Sequence, residues 1–321
     1  MIPLSLLDFT SISAGQTARD ALAASVTLAQ QAERLGYKRV WYAEHHNNAR
    51  IACSAPSVFI AHVAAQTKHI RLGSGGIMLP NHSPLIVAEQ FSLLETLHPG
   101  RIDLGLGRAP GTDHNTMLAL RRSPAAADRF PQDVLELQGY LTGNSQITGV
   151  EATPGRATNV PLYILGSSQF GATLAATLGL PYAFASQFAP DSLQEAVAIY
   201  RREFRPSAQL AEPYVIAGVN VIVGETSADA KEQLHAAQRS LVSALQRNGR
   251  SLPDDEADAI LSSPSGHQIR HLLTYSAVGT CSEVREYLQA FAQHADADEL
   301  MVVLQSPTTA TRLRSLEALL G

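Results

Sequence analysis

Short apolar segments of strand character alternate with longer segments of helical period along nearly the whole chain. The first unit is a strand at 4–9 and a helix at 21–35, which Gly36 ends because glycine readily adopts the left-handed conformation of a helix terminus. The other predicted strands are 40–43, 70–78, 102–106, 162–165, 182–185, 215–223 and 299–304. The other predicted helices are 55–65, 85–97, 127–141, 172–178, 192–204, 228–246, one beginning at Thr280, where Glu283 completes a capping box, and a closing helix. Eight alternating units predict an α/β fold, a (β/α)8 barrel of the TIM type.

We expect residues 1–321 to form a single domain with loop insertions at the carboxyl-terminal mouth of the barrel. Two doubly wound domains are disfavoured, since no Pro/Gly/Ser-rich linker divides the chain. A dinucleotide loop at Gly105-Leu106-Gly107 is disfavoured, because the residues that follow break a helix and Pro110 has no amide to offer a phosphate. The long segments after Arg108 and after Arg247 are candidate lid or substrate loops.

Composition narrows the class of partner. The net charge is −5, 17% of the residues are charged, and no dense Lys/Arg block is present, which argues against nucleic acid or an anionic membrane. The first residues lack the basic region of a signal peptide, and no apolar run is long enough for a transmembrane helix, so we expect a cytoplasmic protein. Cys53 and Cys281 lie far apart without a Cys-x-x-Cys pattern; we interpret both as packing residues and predict no metal site.

The second predicted strand ends in Glu44, His45 and His46. The carboxyl ends of parallel strands are where α/β proteins build their sites, so these side chains are candidates for acid–base chemistry. Adjacent residues of a strand face opposite sides, and we therefore expect at most one of the two histidines to work in a given pocket.

The third predicted strand contains Gly73, Gly75 and Gly76 within an apolar run. Glycine weakens a strand and often marks the close approach of another group, so a flat ring is able to rest on the backbone here. Relief of crowding inside the barrel explains Gly75 and Gly76 equally well.

Groups that suit a phosphate follow the fourth and fifth strands. Arg108 ends the fourth strand and carries a guanidinium that donates two hydrogen bonds at once, although it also suits an ion pair that holds a loop. Ser167 and Ser168 precede a helix, where anions bind well, although serine is also an ordinary helix-capping residue. One barrel mouth with a phosphate site and a ring site fits flavin mononucleotide (FMN).

These segments together resemble the luciferase-like flavin monooxygenases, which include the bacterial luciferase subunits and alkanesulfonate monooxygenases. The likeness is greatest to single-component members of unassigned substrate. The segments that carry it are Trp-Tyr-Ala-Glu-His-His at 41–46, Gly-Ser-Gly-Gly-Ile-Met-Leu-Pro at 73–80, Pro-Gly-Arg-Ile-Asp-Leu-Gly-Leu-Gly-Arg at 99–108 and Val-Gly-Thr at 278–280, with shorter matches at 81–84 and 184–186.

The resemblance implies that His45 lies beside the flavin and that a non-prolyl cis peptide joins Gly75 to Gly76 under its ring. It also implies that Arg108 binds the phosphate. Ser167 and Ser168 match the loop that closes on the phosphate, with Ser167 standing where luciferase has a carboxylate. Gly107 stands where luciferase has a cysteine, so light emission from an aldehyde is not expected.

The activity implied is that of an FMN-dependent monooxygenase, which takes reduced FMN from a separate reductase and reacts it with O2 through a C4a-peroxyflavin to oxidise a small organic substrate. His45 would act as the general acid or base, and Glu44 would shift or orient it. Hydride transfer with the deazaflavin F420, or flavin binding without turnover, are the alternatives. The family also tends to form homodimers through helices that correspond to 55–65 and 85–97. An uncharged or weakly polar substrate is favoured.

Overall fold

The structure, a computed structural model, describes residues 2–13, 15–109, 112–245 and 252–320. In these residues eight parallel strands close into a barrel, in the order β1–β2–β3–β4–β5–β6–β7–β9 and back to β1. The strands are β1 (Leu4–Asp8), β2 (Arg39–Tyr42), β3 (Arg71–Met78), β4 (Ile102–Gly107), β5 (Leu162–Gly166), β6 (Tyr182–Phe184), β7 (Val215–Val223), β8 (Ser276–Gly279) and β9 (Glu299–Leu304). The predicted (β/α)8 barrel is confirmed.

Helices surround the barrel. They are α1 (Ala18–Leu35), α2 (Pro56–Ala64), α3 (Pro84–Leu97), α4 (His114–Ala119), α5 (Phe130–Thr142), α6 (Gln169–Leu178), α7 (Leu193–Glu203), α8 (Ser227–Leu245), α9 (Asp254–Leu261), α10 (Pro264–Leu272), α11 (Cys281–His294) and α12 (Thr309–Leu320), with 3-10 turns at Leu79–Asn81 and Pro124–Arg129. In the described ranges, none of the helices combines the length and the apolar character that a bilayer span requires.

Local sequence signals set the helix ends as expected. Gly36 ends α1 in the left-handed conformation with φ +84°, and its amide donates to carbonyls of the last turn. Thr280 caps α11 and forms the predicted capping box with Glu283. Both cysteines, Cys53 and Cys281, are free thiols.

The sequence prediction was wrong between the seventh and eighth barrel strands. A further strand, β8, pairs with residues 220–223 of β7, whereas β6 pairs with residues 215–217 of the same strand. The segment after Arg247, predicted as a loop, contains α9 and the start of α10; residues 246–251 lie outside the described ranges. These helices form because α8, α9 and α10 bury their own small apolar cluster of Val242, Ala257, Leu261 and Ile269.

The segment after Arg108, also predicted as a loop, contains α4 and the 3-10 turn Pro124–Arg129, and Pro110 and Gly111 lie outside the described ranges. Asp113 caps α4 by accepting a hydrogen bond from the Thr116 amide, and it also accepts one from the Asn47 side chain. Two insertions with helical structure therefore accompany the barrel.

A buried ion network fills the amino-terminal end of the barrel. Arg39, at the start of β2, lies 2.7 Å from Asp103 of β4 and 2.9 Å from Glu299 of β9, and it donates to the Tyr163 hydroxyl at 2.6 Å. Arg71 supplies Asp103 with a second cationic partner at 2.6 Å. These charges close the end of the barrel that does not carry the cavity.

Candidate flavin site at the barrel mouth

A cavity of about 570 Å³ opens among the carboxyl ends of the barrel strands, a size typical of small-molecule sites. Most of its lining is apolar. The lining residues are Leu7, Phe9, Trp41, Ala43, His45, Gly75, Gly76, Met78, Gly107, Arg108, Ala109, Ala127, Phe130, Leu165, Gly166, Ser167, Ser168, Phe170, Gly171, Ala183, Phe184, Ala185, Gln187, Phe188, Ile216, Gly218 and Met301. Six of the seven predicted site residues are therefore brought together, and Glu44 is not among them.

Gly75 and Gly76 present their backbone to the cavity, and the peptide bond that joins them is cis. A Cβ atom on Gly75 would lie 2.6 Å from Leu7 Cδ1, and one on Gly76 would lie 2.7 Å from the carbonyl oxygen of Gly105. Crowding against backbone requires glycine at 76, whereas a Cβ at 75 would meet the end of the Leu7 side chain, which is able to move. The same absence of side chains leaves a flat backbone surface on the cavity wall.

His45 brings an imidazole to the cavity beside Phe9, with the two ring centroids 5.7 Å apart. Its Nδ1 atom is buried and has no hydrogen-bond partner among the described residues. Burial lowers the pKa of His45, and this effect outweighs the opposing effect of the Glu44 charge. His45 is therefore a neutral imidazole at neutral pH, and it lines the cavity.

Glu44 faces away from the cavity. Its carboxylate, fully buried, lies 2.7 Å from His46 Nε2 and 2.8 Å from His82 Nε2, and it accepts the Met78 amide at 3.0 Å. Burial would raise the pKa of Glu44, but these hydrogen bonds outweigh it and lower the pKa to about 2. Glu44 therefore fastens the loop after β2 to the end of β3, the strand that carries Gly75 and Gly76.

Hydrogen bonds account for the geometry of Glu44, His46 and His82. Their ligand atoms lie within 4.8 Å of one another, which is compact enough for a metal ion. The carboxylate oxygen is nevertheless at hydrogen-bond distance from both imidazole nitrogens, whereas the ligands of a metal ion contact the ion rather than each other. His82 was missed as a partner because it lies 38 residues from Glu44 in the sequence.

We predict that Glu44→Gln lowers the free energy of unfolding by roughly 1–3 kcal/mol at neutral pH, because an amide leaves one of the buried donors without an acceptor. The carboxylate stabilises the fold above the ordinary glutamate pKa of about 4.5, and this contribution is lost as the pH falls toward its folded-state value of about 2. The difference between wild type and variant, measured by urea denaturation, should therefore narrow in acid. A constant difference down to the acid limit would contradict the assignment.

Arg108 reaches the cavity from the end of β4. Its guanidinium lies 4.2 Å from the Phe170 ring centroid, and its nearest carboxylate, Asp128, is 3.9 Å away, with both side chains exposed. Such an ion pair contributes little, and the guanidinium keeps donors for an anion. Ser167 and Ser168 line the same part of the cavity at the start of α6, and the Ser168 side chain makes no capping hydrogen bond. A guanidinium, two hydroxyls and a helix N-terminus together suit a phosphate.

The sequence profile of the luciferase-like monooxygenase family matches residues 2–298. The chain belongs to this family. A luciferase-like monooxygenase of Escherichia coli (strain K12) is 45% identical over 319 residues, which cover 98% of this chain and 95% of the relative. An N-acetyl-S-alkylcysteine monooxygenase of Bacillus subtilis (strain 168) is 36% identical over 300 residues, covering 90% and 88%. The crystal structure of apo-MsnO8 superposes with a TM-score of 0.89 at 35% identity and covers 99% of this chain and 97% of that one.

Two solved structures of low sequence identity share the fold, and their cofactors differ. The oxygenating constituent of 3,6-diketocamphane monooxygenase from Pseudomonas putida, solved with FMN, has a TM-score of 0.75 at 17% identity and covers 100% of this chain and 97% of that one. An F420-dependent secondary alcohol dehydrogenase has a TM-score of 0.72 at 17% identity and covers 99% and 98%. Fold alone therefore does not select the cofactor, and the residues of the cavity must.

Proposed function

We propose that the protein is an FMN-dependent monooxygenase that takes reduced FMN and O2 and oxidises a small organic molecule. The observation that carries this proposal is the arrangement of groups around one cavity. A guanidinium and a helix N-terminus lie at one part of the cavity. A glycine backbone surface and an uncharged imidazole lie at another part. FMN has a matching phosphate and flat ring. Hydride transfer with F420 and flavin binding without turnover are the outcomes that the experiments below must separate from it.

Reduced FMN would supply the two electrons with which O2 gives one oxygen atom to the substrate and the other to water. Gly75 and Gly76 would support the ring, while Arg108, Ser167 and Ser168 hold the phosphate. The apolar walls would keep water away from the reacting atoms. His45 would act as the general base or hydrogen-bond partner through its imidazole, and Glu44 would position the loop that carries His45 by accepting the Met78 amide.

Arg108→Ala should weaken FMN binding by roughly 10- to 100-fold, because it removes charge-assisted hydrogen bonds to the phosphate. Riboflavin, which lacks the phosphate, should bind equally well to wild type and variant. Both dissociation constants are measured by flavin fluorescence. Arg202→Ala, at an exposed arginine of α7 paired with Glu203, is the matched control and should leave both constants unchanged. Equal losses for FMN and riboflavin would contradict a phosphate role.

The reaction itself is tested by supplying reduced FMN from a separate flavin reductase under isotopically labelled O2. The relative that is named an N-acetyl-S-alkylcysteine monooxygenase makes organic sulfides sensible first substrates. A labelled sulfoxide, or a labelled dealkylation product, would support the proposal. Turnover of F420 with an alcohol or ketone, and no labelled product with FMN, would replace it with hydride transfer.

We further propose a cytoplasmic homodimer built on α2 and α3. Val58 of α2 and Ile86, Leu93 and Leu97 of α3 are large apolar side chains that the single chain leaves exposed. The two helices contact each other, and exposed apolar side chains on neighbouring helices favour association. Sedimentation of the wild type as a dimer and of Leu97→Glu as a monomer would support it, whereas a monomeric wild type would overturn it.

A further inference from the structure

Gln187 is a buried polar side chain on the cavity wall, and it has no role in the flavin binding proposed above. It follows β6, whereas Arg108, Ser167 and Ser168 follow β4 and β5. The side chain is 6% exposed, and its Oε1 atom has no hydrogen-bond partner among the described residues. An unpaired buried amide oxygen costs free energy, and the small exposed part of the same side chain lines the cavity, so a ligand there that draws the amide into a hydrogen bond would relieve this cost.

The position of Gln187 is fixed by its surroundings. Its backbone carbonyl accepts a hydrogen bond from Asn220 Nδ2 at 2.7 Å, and Asn220 Oδ1 in turn accepts from Gln305 Nε2 at 2.8 Å. The preceding residue, Ser186, donates to the Gly218 carbonyl at 2.6 Å. These hydrogen bonds hold the backbone from which the Gln187 side chain projects.

Gly218 makes room for the amide. A Cβ atom at Gly218 would lie 1.9 Å from Gln187 Oε1, a distance that no pair of such atoms adopts. Any larger residue at 218 would expel the Gln187 side chain from its present place. The Gln187 side chain thus occupies its place in this wall only because residue 218 is glycine.

The rest of this wall is apolar, with Phe184, Phe188, Ile216 and Met301 lining it. Among the described residues that line the cavity, Arg108 alone has a permanent charge, and the FMN phosphate would occupy it. The substrate would then meet one neutral amide, one neutral imidazole and apolar side chains. A buried carboxylate or sulfonate would have no cation to pair with there.

We propose that Gln187 is the hydrogen-bonding contact that selects the substrate, and that the substrate is a neutral molecule with an apolar body and at least one amide-like group. This inference rests on the proposed function, since it assigns Arg108 to the flavin phosphate. The expected substrates differ from anionic N-acetyl-S-alkylcysteines, because the carboxylate of such a molecule would lie unpaired in this cavity.

Three sulfide probes test the proposal on FMN-loaded protein: N-acetyl-S-benzylcysteine, its neutral carboxamide, and benzyl methyl sulfide. Dissociation constants are read from the perturbed flavin absorbance. The carboxamide should bind most tightly.

Gln187→Leu should weaken the binding of the carboxamide by about tenfold and leave the dissociation constants of benzyl methyl sulfide and of FMN itself within about twofold. Gly218→Ala, which displaces the same amide from the other side, should show the same selective loss. Gln293→Leu, at an exposed glutamine of α11, is the matched control.

The outcomes that overturn the proposal are distinct from those that overturn the proposed function. A loss of FMN affinity in Gln187→Leu would make the residue a flavin contact. The proposed substrate class would be contradicted if the carboxylate and the carboxamide bind equally well. It would also be contradicted if the carboxamide binds no more tightly than benzyl methyl sulfide. A wild-type protein that binds no FMN would instead contradict the proposed function, and this inference with it.

Discussion

Replacement of His45 by alanine is expected to lower the rate of substrate oxygenation by roughly 10²- to 10⁴-fold, the usual contribution of a positioned acid or base. The affinity for FMN should change little, because the phosphate and ring contacts assigned to Arg108, Gly75 and Gly76 are untouched. The reason for the rate loss is the neutral imidazole of His45, which lines the cavity. Initial rates and FMN dissociation constants, measured on the same preparations, check the two halves of this prediction.

The pH dependence supplies a second criterion for His45. Burial lowers its pKa below the ordinary value of 6.5, so the neutral imidazole prevails at neutral pH. If His45 acts as a base, the rate should fall only when the pH drops through this lowered pKa. His45→Gln keeps the size and one hydrogen-bonding atom but cannot titrate, and it should lose that acidic limb. A wild-type profile with no acidic limb, or a His45→Gln profile that retains it, would contradict a proton-transfer role.

Arg39→Leu is expected to destabilise the fold by roughly 3 kcal/mol, because Asp103 and Glu299 lose the buried cation they share and each keeps only a more exposed one, Arg71 or Lys38. Burial alone would lower the pKa of Arg39, but Asp103 and Glu299 raise it, so the guanidinium stays charged. Urea or thermal denaturation measures the loss. The cavity floor should suffer as well, since Trp41 donates to Asp103 and lines the cavity.

The same substitution at the surface is the control for Arg39. Arg34 lies 3.5 Å from Glu317, and both side chains are largely exposed. Exposed pairs contribute about 0–1 kcal/mol, so Arg34→Leu should leave the unfolding free energy nearly unchanged. Equal effects of the two substitutions would show that the buried network contributes no more than a surface pair.

The barrel was predictable because its strands and helices differ in the period of their apolar residues, and the prediction of strands at 215–223 and 299–304 matches β7 and β9. The strand β8 was not predicted, since Ser276–Gly279 is only 4 residues long and contains few apolar side chains. The helices α9 and α10 were also missed, because their apolar positions are few and bury against α8 rather than against the barrel.

The site residues were predictable where a side chain able to do the chemistry comes directly after a predicted strand, as His45 and Arg108 do. They were not predictable where the partner is distant in sequence. Glu44 pairs with His82 rather than with His45, and no local pattern reveals a contact that the fold creates. Gln187 lies in an ordinary apolar stretch, and its importance becomes visible only with the cavity and with Gly218 beside it.

The most direct test of FMN-dependent oxygenation is to mix the protein with anaerobically reduced FMN, add O2 in a stopped-flow instrument, and follow the flavin absorbance. We expect an oxygenated flavin that persists longer on the protein than in free solution, and that decays faster in His45→Ala. Reoxidation in one phase at the rate of free reduced FMN, with no such species, would contradict the monooxygenase assignment and leave F420 hydride transfer or simple flavin binding in its place.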